Sequence, residues 1–315
     1  MAKPSLQCTA GSGSVQELPA PGKVVLFLGA SQNGGGAVEL KIGDAVKTGQ
    51  RIGASPDSDE YVISSVTGTV SDMSPYMGTS GRKYTAIVID ASGQDDWDSG
   101  FTKAETLDTA LKFFGYGPGS PCFKAFADPE KSIRTIIING MDEDLLLTAN
   151  QYVVRNEGAD IKAGVAALKK MTGAERIFIT VPEGLVQQAA ATGAEVKTIS
   201  ASYPGCLPHM IMKDVVGEVV LAGDTVEDAG VVFMSAEAVA AIGAAFSTGQ
   251  LRVSKVVTVV GKDGSATNMR VRIGPPISDV LQACNISLSE RDRLILGGPM
   301  RGVATYSEEL PVEPD

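Results

Sequence analysis

The chain has little positive charge and no long apolar run. Its 27 Lys and Arg residues are outnumbered by 37 Asp and Glu residues, which gives a formal net charge of −10. Without a basic cluster, a nucleic-acid-binding surface is excluded. The longest apolar runs, residues 24–28 and 238–246, fall well short of the roughly 20 residues that span a bilayer. With no secretory signal at the start, we expect a cytoplasmic protein that at most docks peripherally on a membrane complex.

Cysteine and histidine are also scarce, and their spacing excludes local metal motifs. The four cysteines are Cys8, Cys122, Cys206 and Cys284, and no two form a C-x-x-C pair. The sequence therefore has no iron–sulfur or zinc signature, and a disulfide scaffold does not fit a chain of 315 residues. At that length we predict two or three hydrophobic cores.

The central stretch predicts a buried strand that ends at a site-forming turn. Residues 135–138 are a short β-branched apolar run, and Asn139-Gly140 stops it. Asp142, Glu143 and Asp144 follow, where we expect a helix to begin, and carboxylates satisfy free N–H groups there. Two interpretations stay open: the acids only cap the helix, or they also form the wall of a pocket.

Strands and helices alternate after this point, which is typical of a parallel α/β sheet. We predict further strands at residues 176–181 and 195–199, and helices at residues 149–157 and 161–171. Right-handed crossovers place the loops that follow the strands on one edge of the sheet, where open α/β folds bind ligands.

The segments before and after this α/β stretch have different sequence patterns. Residues 38–70 alternate apolar and polar positions between glycines, which predicts a small β-sandwich of the barrel-sandwich hybrid type. Residues 54–61, where a lipoyl or biotinyl carrier would present its lysine, contain none, so a docking or structural role is favoured. Residues 1–20 are predicted to be a loose lead-in and residues 90–101 a linker. Past residue 250, two strands, a short helix and another strand predict a small α+β domain.

Taken together, these segments resemble RnfC, the peripheral subunit of the Rnf electron-transport complex, which is related to the flavin-bearing NADH dehydrogenase subunit of respiratory complex I. The motifs that carry the resemblance are residues 41–50, 65–69, 139–144, 147–149, 203–204, 257–261, 271–274 and 297–300. The resemblance implies a barrel-sandwich domain over residues 21–95, an FMN- and NADH-binding-like α/β domain over 102–250, and an SLBB β-grasp domain over 251–315.

The resemblance also implies a set of cofactor-binding residues. Gly117 and Gly119 correspond to a glycine loop that lets the backbone approach the flavin phosphate. The residues implied beside the flavin are Asn139, Asp142, Asp144 and Tyr203.

Two of the three loops depart from the family pattern. Pro118 removes a backbone donor from the glycine loop, and Tyr116 replaces its first glycine. Tyr203-Pro204 is followed by residues 205–209, which lack the family's glutamate and paired glycines. These changes count against NADH binding and weaken the flavin site.

The same two loops each contain a cysteine, which suggests a second chemistry. Cys206 lies three residues before His209, the only histidine in the chain, and Cys122 ends the glycine loop. Two thiols in one pocket can cycle between dithiol and disulfide. A similar exchange of flavin features for thiol chemistry occurs in RnfC-like proline reductase-associated electron transfer proteins. The alternative is that both cysteines are buried small hydrophobic residues. A metal site is not predicted, because the three residues lack a fourth ligand.

Three functions remain open from the sequence. The first is an electron-transfer subunit of RnfC type with a degenerate flavin and NADH pocket, in which Cys122, Cys206 and His209 carry the redox step. The second is a non-catalytic docking module of a redox complex, and the third is an intact FMN-dependent NADH dehydrogenase subunit. The partners implied are other subunits of an electron-transfer or reductase complex, at the inner membrane. The family's iron–sulfur segments lie past residue 315, so no cluster is expected in this chain.

Overall fold

The computed structural model describes residues 14–29, 38–53, 59–78, 81–305 and 307–315. Cys8 and residues 54–58, part of the segment compared with carrier hairpins, lie outside the described residues. The first described strand, β1 (Gln16–Glu17), pairs in parallel with Met269 and Arg270 near the other end of the chain. The prediction of a loose lead-in is therefore wrong for these residues, because their backbone completes a sheet.

The first domain consists of two antiparallel sheets, as the alternating pattern predicts. One sheet has the order β2-β7-β6-β3, and the other is the pair β4-β5. Val24, Leu26, Ile87 and Ile89 point into the core between them, each at most 3% exposed. The strands are β2 (Lys23–Gly29), β3 (Ala45–Val46), β4 (Arg51–Gly53), β5 (Tyr61–Ile63), β6 (Gly68–Met77) and β7 (Lys83–Ala91).

Residues 90–101, the predicted linker, make specific contacts with more than one domain. The Asp95 carboxylate accepts a hydrogen bond from Thr48 Oγ1 at 2.7 Å and a bidentate pair from Arg272 at 2.8 and 2.5 Å. Phe101 is buried in the central core. Through Asp95, this segment joins the first domain to the last.

The central domain is built on a four-stranded parallel sheet with the order β10-β9-β8-β11. The pattern predicts three of these strands and misses β11. The elements, in chain order, are α1 (Leu107–Phe113), α2 (Lys124–Ala127), β8 (Thr135–Asn139), α3 (Ala149–Asn156), α4 (Gly158–Thr172), β9 (Arg176–Val181), α5 (Val186–Ala190), β10 (Glu195–Thr198), α6 (Pro208–Ile211), β11 (Val231–Ser235) and α7 (Ala236–Thr248).

The sheet is covered on both faces, which explains why β8 is buried along its whole length and apolar in its three central residues. Ile136 and Ile138 belong to the cluster formed with α3, α4 and α7, whereas Ile137 belongs to a second cluster with Cys206 and Ile211. Successive side chains of a strand point to opposite faces, so one run of isoleucines serves both layers.

The last domain has the predicted order of two strands, a helix and a third strand, with one further strand added. These elements are β12 (Ser254–Val260), β13 (Ala266–Arg272), α8 (Ile277–Ala283), β14 (Leu294–Leu296) and β15 (Val303–Thr305). The first sheet has the order β1-β13-β12, and β14 pairs with β15 as an antiparallel ribbon. The SLBB assignment of this domain stays a prediction. Within the described ranges, no helix is long and apolar enough to cross a membrane.

Candidate functional site

Two of the three loops predicted to form the site follow strands of one parallel sheet, β8 and β10, and therefore lie at the same edge of it, whereas the glycine loop follows α1. Asn139, the last residue of β8, is in register with Thr180 of β9 on one side and Ser235 of β11 on the other. Carboxyl ends of parallel strands are where such sheets hold ligands. We refer to this region, with the loops that follow it, as the strand-end edge.

Asn139 connects the loop that follows β8 with the loop that contains Cys206. It is buried, and its Oδ1 accepts a hydrogen bond from the Met141 N–H at 3.3 Å. Its Nδ2 donates to the Cys206 carbonyl oxygen at 3.3 Å. The structure thus brings Asn139 and the loop of Cys206 together, as the sequence predicts.

The glycine loop reaches the same edge at the start of α7. Gly119 has a φ of +72°, and a Cβ placed there would lie 2.2 Å from Ser235 Oγ. Its N–H donates to the Pro314 carbonyl oxygen at 2.7 Å, and the Gly117 N–H donates to the Phe114 carbonyl oxygen at 3.0 Å. The close approach that only glycine allows is therefore made to a serine of the protein itself, and both amide donors are engaged.

Asp142 caps a helix, but not in the way the sequence suggests. The helix begins at Ala149 rather than at the acids, because residues 141–148 form turns. The buried Asp142 carboxylate reaches across this loop and accepts from the Asn150 N–H at 3.0 Å. Burial raises the pKa of Asp142 to about 6, and its hydrogen bonds to the Asn150 and Gln151 N–H groups oppose that shift.

Asp144 binds the last domain instead of lining an open pocket. It is 1% exposed and accepts hydrogen bonds from the Met300 N–H at 3.0 Å and the Arg301 N–H at 2.7 Å. Beside it, the carboxylate of Glu143 pairs with the guanidinium of Arg301. Gly298 makes this contact possible, since a Cβ there would lie 2.6 Å from the Asp144 side chain. We call these contacts the Asp144 clip. Sequence reasoning does not find it, although residues 297–300 are among the motifs that carry the resemblance.

The two site cysteines occupy different environments. Cys122 is exposed, whereas Cys206 is 0% exposed and packs with Ile137 and Phe178. Tyr203 packs, partly buried, against the same cluster. His209 is exposed on α6. Cys284, which follows α8, lies outside this edge and is partly buried.

Two cavities adjoin the glycine loop. One, of about 10 Å³, lies beside Gly117 and Pro118 and has about the volume that a single water needs. A larger one, of about 240 Å³, lies on the other side of the glycine loop, between Tyr116, the first domain and residues 311–315. Ligand sites typically have about 300 Å³ or more. Among the described residues, no group of three or more His, Cys, Asp or Glu side chains could hold a metal ion.

Comparison with known families matches the two larger domains. Residues 4–94 match the RnfC barrel sandwich hybrid domain, and residues 120–251 match the NqrA second alpha/beta domain. The chain is RnfC-like. The resemblance found in the motifs and the predicted fold class are both confirmed.

Curated relatives agree with this assignment. The C subunit of the Na(+)-translocating ferredoxin:NAD(+) oxidoreductase complex of Acetobacterium woodii is 26% identical over 87% of this RnfC-like chain and 67% of its own length. The C subunit of the proton-translocating ferredoxin:NAD(+) oxidoreductase complex of Clostridium ljungdahlii is also 26% identical, over 95% of the chain and 70% of its own length. Against the C subunit of the ion-translocating oxidoreductase complex of Klebsiella pneumoniae, the identity is 23% over 98% of the chain. That match spans only 44% of the Klebsiella protein.

A solved structure shows the same fold at lower similarity. The NAD+-reducing [NiFe]-hydrogenase in its air-oxidized state is similar with a TM-score of 0.50 and 17% identity. The match covers 68% of the RnfC-like chain and 45% of the hydrogenase chain. At that identity the likeness is one of fold alone.

Proposed function

We propose that this RnfC-like chain is an electron-transfer subunit of a multi-subunit oxidoreductase complex, and that its flavin and NADH pocket is degenerate. The relatives named above are C subunits of ion-translocating complexes, two of which act between ferredoxin and NAD(+). The domain order that matches theirs supports the assembly role. The complex, rather than a helix of this chain, would keep the subunit at the membrane.

One observation carries the degenerate pocket: the protein itself occupies the positions that should contact the cofactor. The Gly119 N–H bonds to Pro314, and Ser235 fills the space beside its Cα. Asp144 accepts backbone N–H groups of the last domain. A cofactor would have to displace these internal contacts, and each lost hydrogen bond would cost about 0.5–1.5 kcal/mol, or more where a carboxylate accepts it.

Flavin titration tests this proposal. The purified chain should be colourless, and added FMN should keep its free fluorescence, since contacts within the protein occupy the positions where the cofactor is implied to bind. Bound flavin would absorb at roughly 450 nm, a property of the isoalloxazine itself. Stoichiometric FMN that survives gel filtration would instead support the intact NADH dehydrogenase subunit, and would overturn the degenerate pocket.

The redox step that we propose for the cysteines needs both thiols. In it, Cys122 and Cys206 form one disulfide, releasing two protons and passing two electrons to an acceptor held by a partner subunit. The attacking species is a thiolate, which requires access. Cys122 meets that requirement, and the buried Cys206 requires its loop to open.

The burial of Cys206 favours the second candidate, a non-catalytic docking module. Thiol counting separates the two. A redox pair loses two titratable thiols on mild oxidation and regains them with reductant, and Cys122→Ser or Cys206→Ser abolishes the change. A docking module keeps all its thiols, with Cys122 reactive and Cys206 protected until the protein unfolds. Cys284→Ser serves as the control, because Cys284 lies outside the strand-end edge.

Peripheral attachment at the inner membrane is the remaining part of the proposal. It follows from the proposed assembly, and no described helix could span a bilayer. The chain should sediment with membranes and be released by a high-salt wash, as expected for attachment through polar protein contacts. Recovery of all the chain in the supernatant before any wash would contradict it.

A further inference from the structure

Asn139 ties the central sheet to the loop in which Cys206 is buried. Its Nδ2 carries two hydrogens, and it donates one of them to the Cys206 carbonyl oxygen at 3.3 Å. Asn139 and Cys206 are 3% and 0% exposed, so water cannot replace this bond without a change in the loop. The Gly205 and Leu207 N–H groups bond to carbonyl oxygens of the loop itself. Those bonds shape the loop, whereas the Asn139 bond holds it against the sheet.

The other side of the Asn139 amide fixes its orientation. The Met141 N–H, 3.3 Å from Oδ1, can only donate, so the amide oxygen must face it and Nδ2 must face the loop of Cys206. A rotation of the Asn139 side chain would therefore break both bonds at once. This arrangement gives the amide one preferred position.

The second hydrogen of Nδ2 leads to the turn of the β14-β15 ribbon. Nδ2 lies 3.5 Å from Glu143 Oε1, and the other oxygen of Glu143 pairs with the guanidinium of Arg301. Polar contacts thus run without a break from Arg301, whose side chain is 49% exposed, to the loop of Cys206. At 3.5 Å the Glu143 contact is the weaker of the two that Nδ2 makes. Without Arg301, the unbalanced carboxylate would attract Nδ2 more strongly and compete with the Cys206 carbonyl.

We propose that Asn139 is a positioning residue that keeps the Cys206 loop closed, and that the pair of Arg301 and Glu143 controls the strength of this closure. The inference rests on the proposed function, in which the loop must open before Cys206 can react with Cys122. Weakening the Asn139 bond should expose the Cys206 thiol through a local opening that leaves the sheet folded. A side chain that the resemblance places beside a flavin would here control access to a thiol.

The rate at which iodoacetamide labels Cys206 in the full chain, read by mass spectrometry of its peptide, tests the proposal. Asn139→Asp keeps the acceptor for the Met141 N–H and removes the donor to Cys206, so it should raise the rate at least about tenfold. Asn268→Asp on β13 is the matched control, because it adds the same charge at a position that is 2% exposed and belongs to the last domain. It should change the rate by less than about twofold.

Labelling at increasing urea concentrations separates local opening from general destabilisation. Local opening exposes little surface, so the Cys206 rate of Asn139→Asp should hardly change at low urea concentrations, whereas labelling through global unfolding rises steeply with urea. Arg301→Gln should raise the rate about threefold, and it should add nothing when Asn139→Asp is already present. Since Arg301 is exposed, this variant also keeps the proposal testable if Asn139→Asp does not fold.

Three results would overturn the proposal. They are an unchanged Cys206 rate in both Asn139→Asp and Arg301→Gln, a rate that depends on urea as steeply as unfolding does, and an effect of Arg301→Gln that is undiminished in the double variant. Failure of the proposed redox function looks different. In that case Cys122 and Cys206 form no disulfide in the thiol count, while the labelling rate still responds to Asn139.

Discussion

The strand-end edge and the β14-β15 ribbon differ in which side chains they bury and which they expose. At the edge, polar groups that could face a ligand are buried and bonded within the protein, as with Asn139 to the Cys206 carbonyl and Asp142 to α3. On the ribbon, apolar groups that could fill a core are left in water, with Leu296 and Val303 both exposed. Asp144 belongs to both regions, because it lies in the edge loop and holds the ribbon turn.

This difference indicates which region of the molecule is available for specific recognition. Buried polar groups with complete hydrogen bonds contribute to stability and to a unique conformation. Exposed apolar groups contribute nothing to folding and become favourable only when a partner covers them. The comparison therefore predicts that substitutions at the edge change stability, and that substitutions on the ribbon change assembly.

The largest effect is expected at the residue that the two regions share. Asp144→Asn keeps the shape of the side chain but removes the charge and one acceptor from the Met300 and Arg301 N–H groups. Hydrogen bonds to buried carboxylates are among the stronger ones, so we expect a loss of about 3 kcal/mol in the free energy of unfolding. Urea denaturation measures it. Glu143→Gln, on the adjacent and more exposed ion pair, is the control and should cost less than about 1 kcal/mol. Equal losses for the two variants would show that the clip has no special role.

A pH-dependent effect is expected from Asp142. Its folded pKa of about 6 lies above the usual unfolded value, so between the two the folded chain holds a proton that the unfolded chain has released. Stability should therefore fall as pH rises from about 4 to about 7, by about 2 kcal/mol relative to Asp142→Asn. Other buried acids such as Glu237 affect both proteins alike and cancel in the difference. If the free energies of unfolding of the two proteins changed with pH in parallel, Asp142 would not be the cause of the pH dependence.

A smaller effect should separate two reasons why residue 298 is a glycine: its close contact with Asp144 and its positive φ. Gly297 and Gly298 have φ values of +89° and +100°, so alanine strains the backbone at either position. Only at Gly298 would the added Cβ meet the Asp144 side chain, at 2.6 Å, whereas at Gly297 the nearest atom is 3.7 Å away. Gly298→Ala should therefore be less stable than Gly297→Ala by about 1 kcal/mol in thermal or urea unfolding. A double variant with Asp144→Gly, which removes both the carboxyl group and the Cβ at 2.7 Å, should lose that excess, and an undiminished excess would rule out the contact.

The sequence predicts regular elements well, because their periodicity is local. β8, β9 and α3 lie where the pattern of apolar residues indicates. β11 escapes the pattern because residues 231–235 run into an alanine-rich helix without a turn signal. The acids of residues 142–144 resemble the first turn of a helix, since a local pattern cannot show that the partners of Asp144 lie some 156 and 157 residues away in the sequence. Long-range contacts of this kind decide whether a family's ligand residues are still available, and sequence spacing does not encode them.

The smallest change in stability is expected for substitutions on the ribbon. A small change there would show that its exposed side chains are not part of the core. Leu296 and Val303 are 39% and 52% exposed, so Leu296→Ser and Val303→Ser remove apolar surface that is partly in water, and each should cost less than about 1 kcal/mol in the free energy of unfolding. Val271→Ser on β13, at 0% exposure, is the matched control and should cost about 3 kcal/mol or more. If the ribbon substitutions destabilise the isolated chain as much as the control does, the ribbon is part of the core and its exposure has another meaning. If they leave stability intact and reduce recovery of the assembled complex, the apolar side chains act on a partner rather than on the fold.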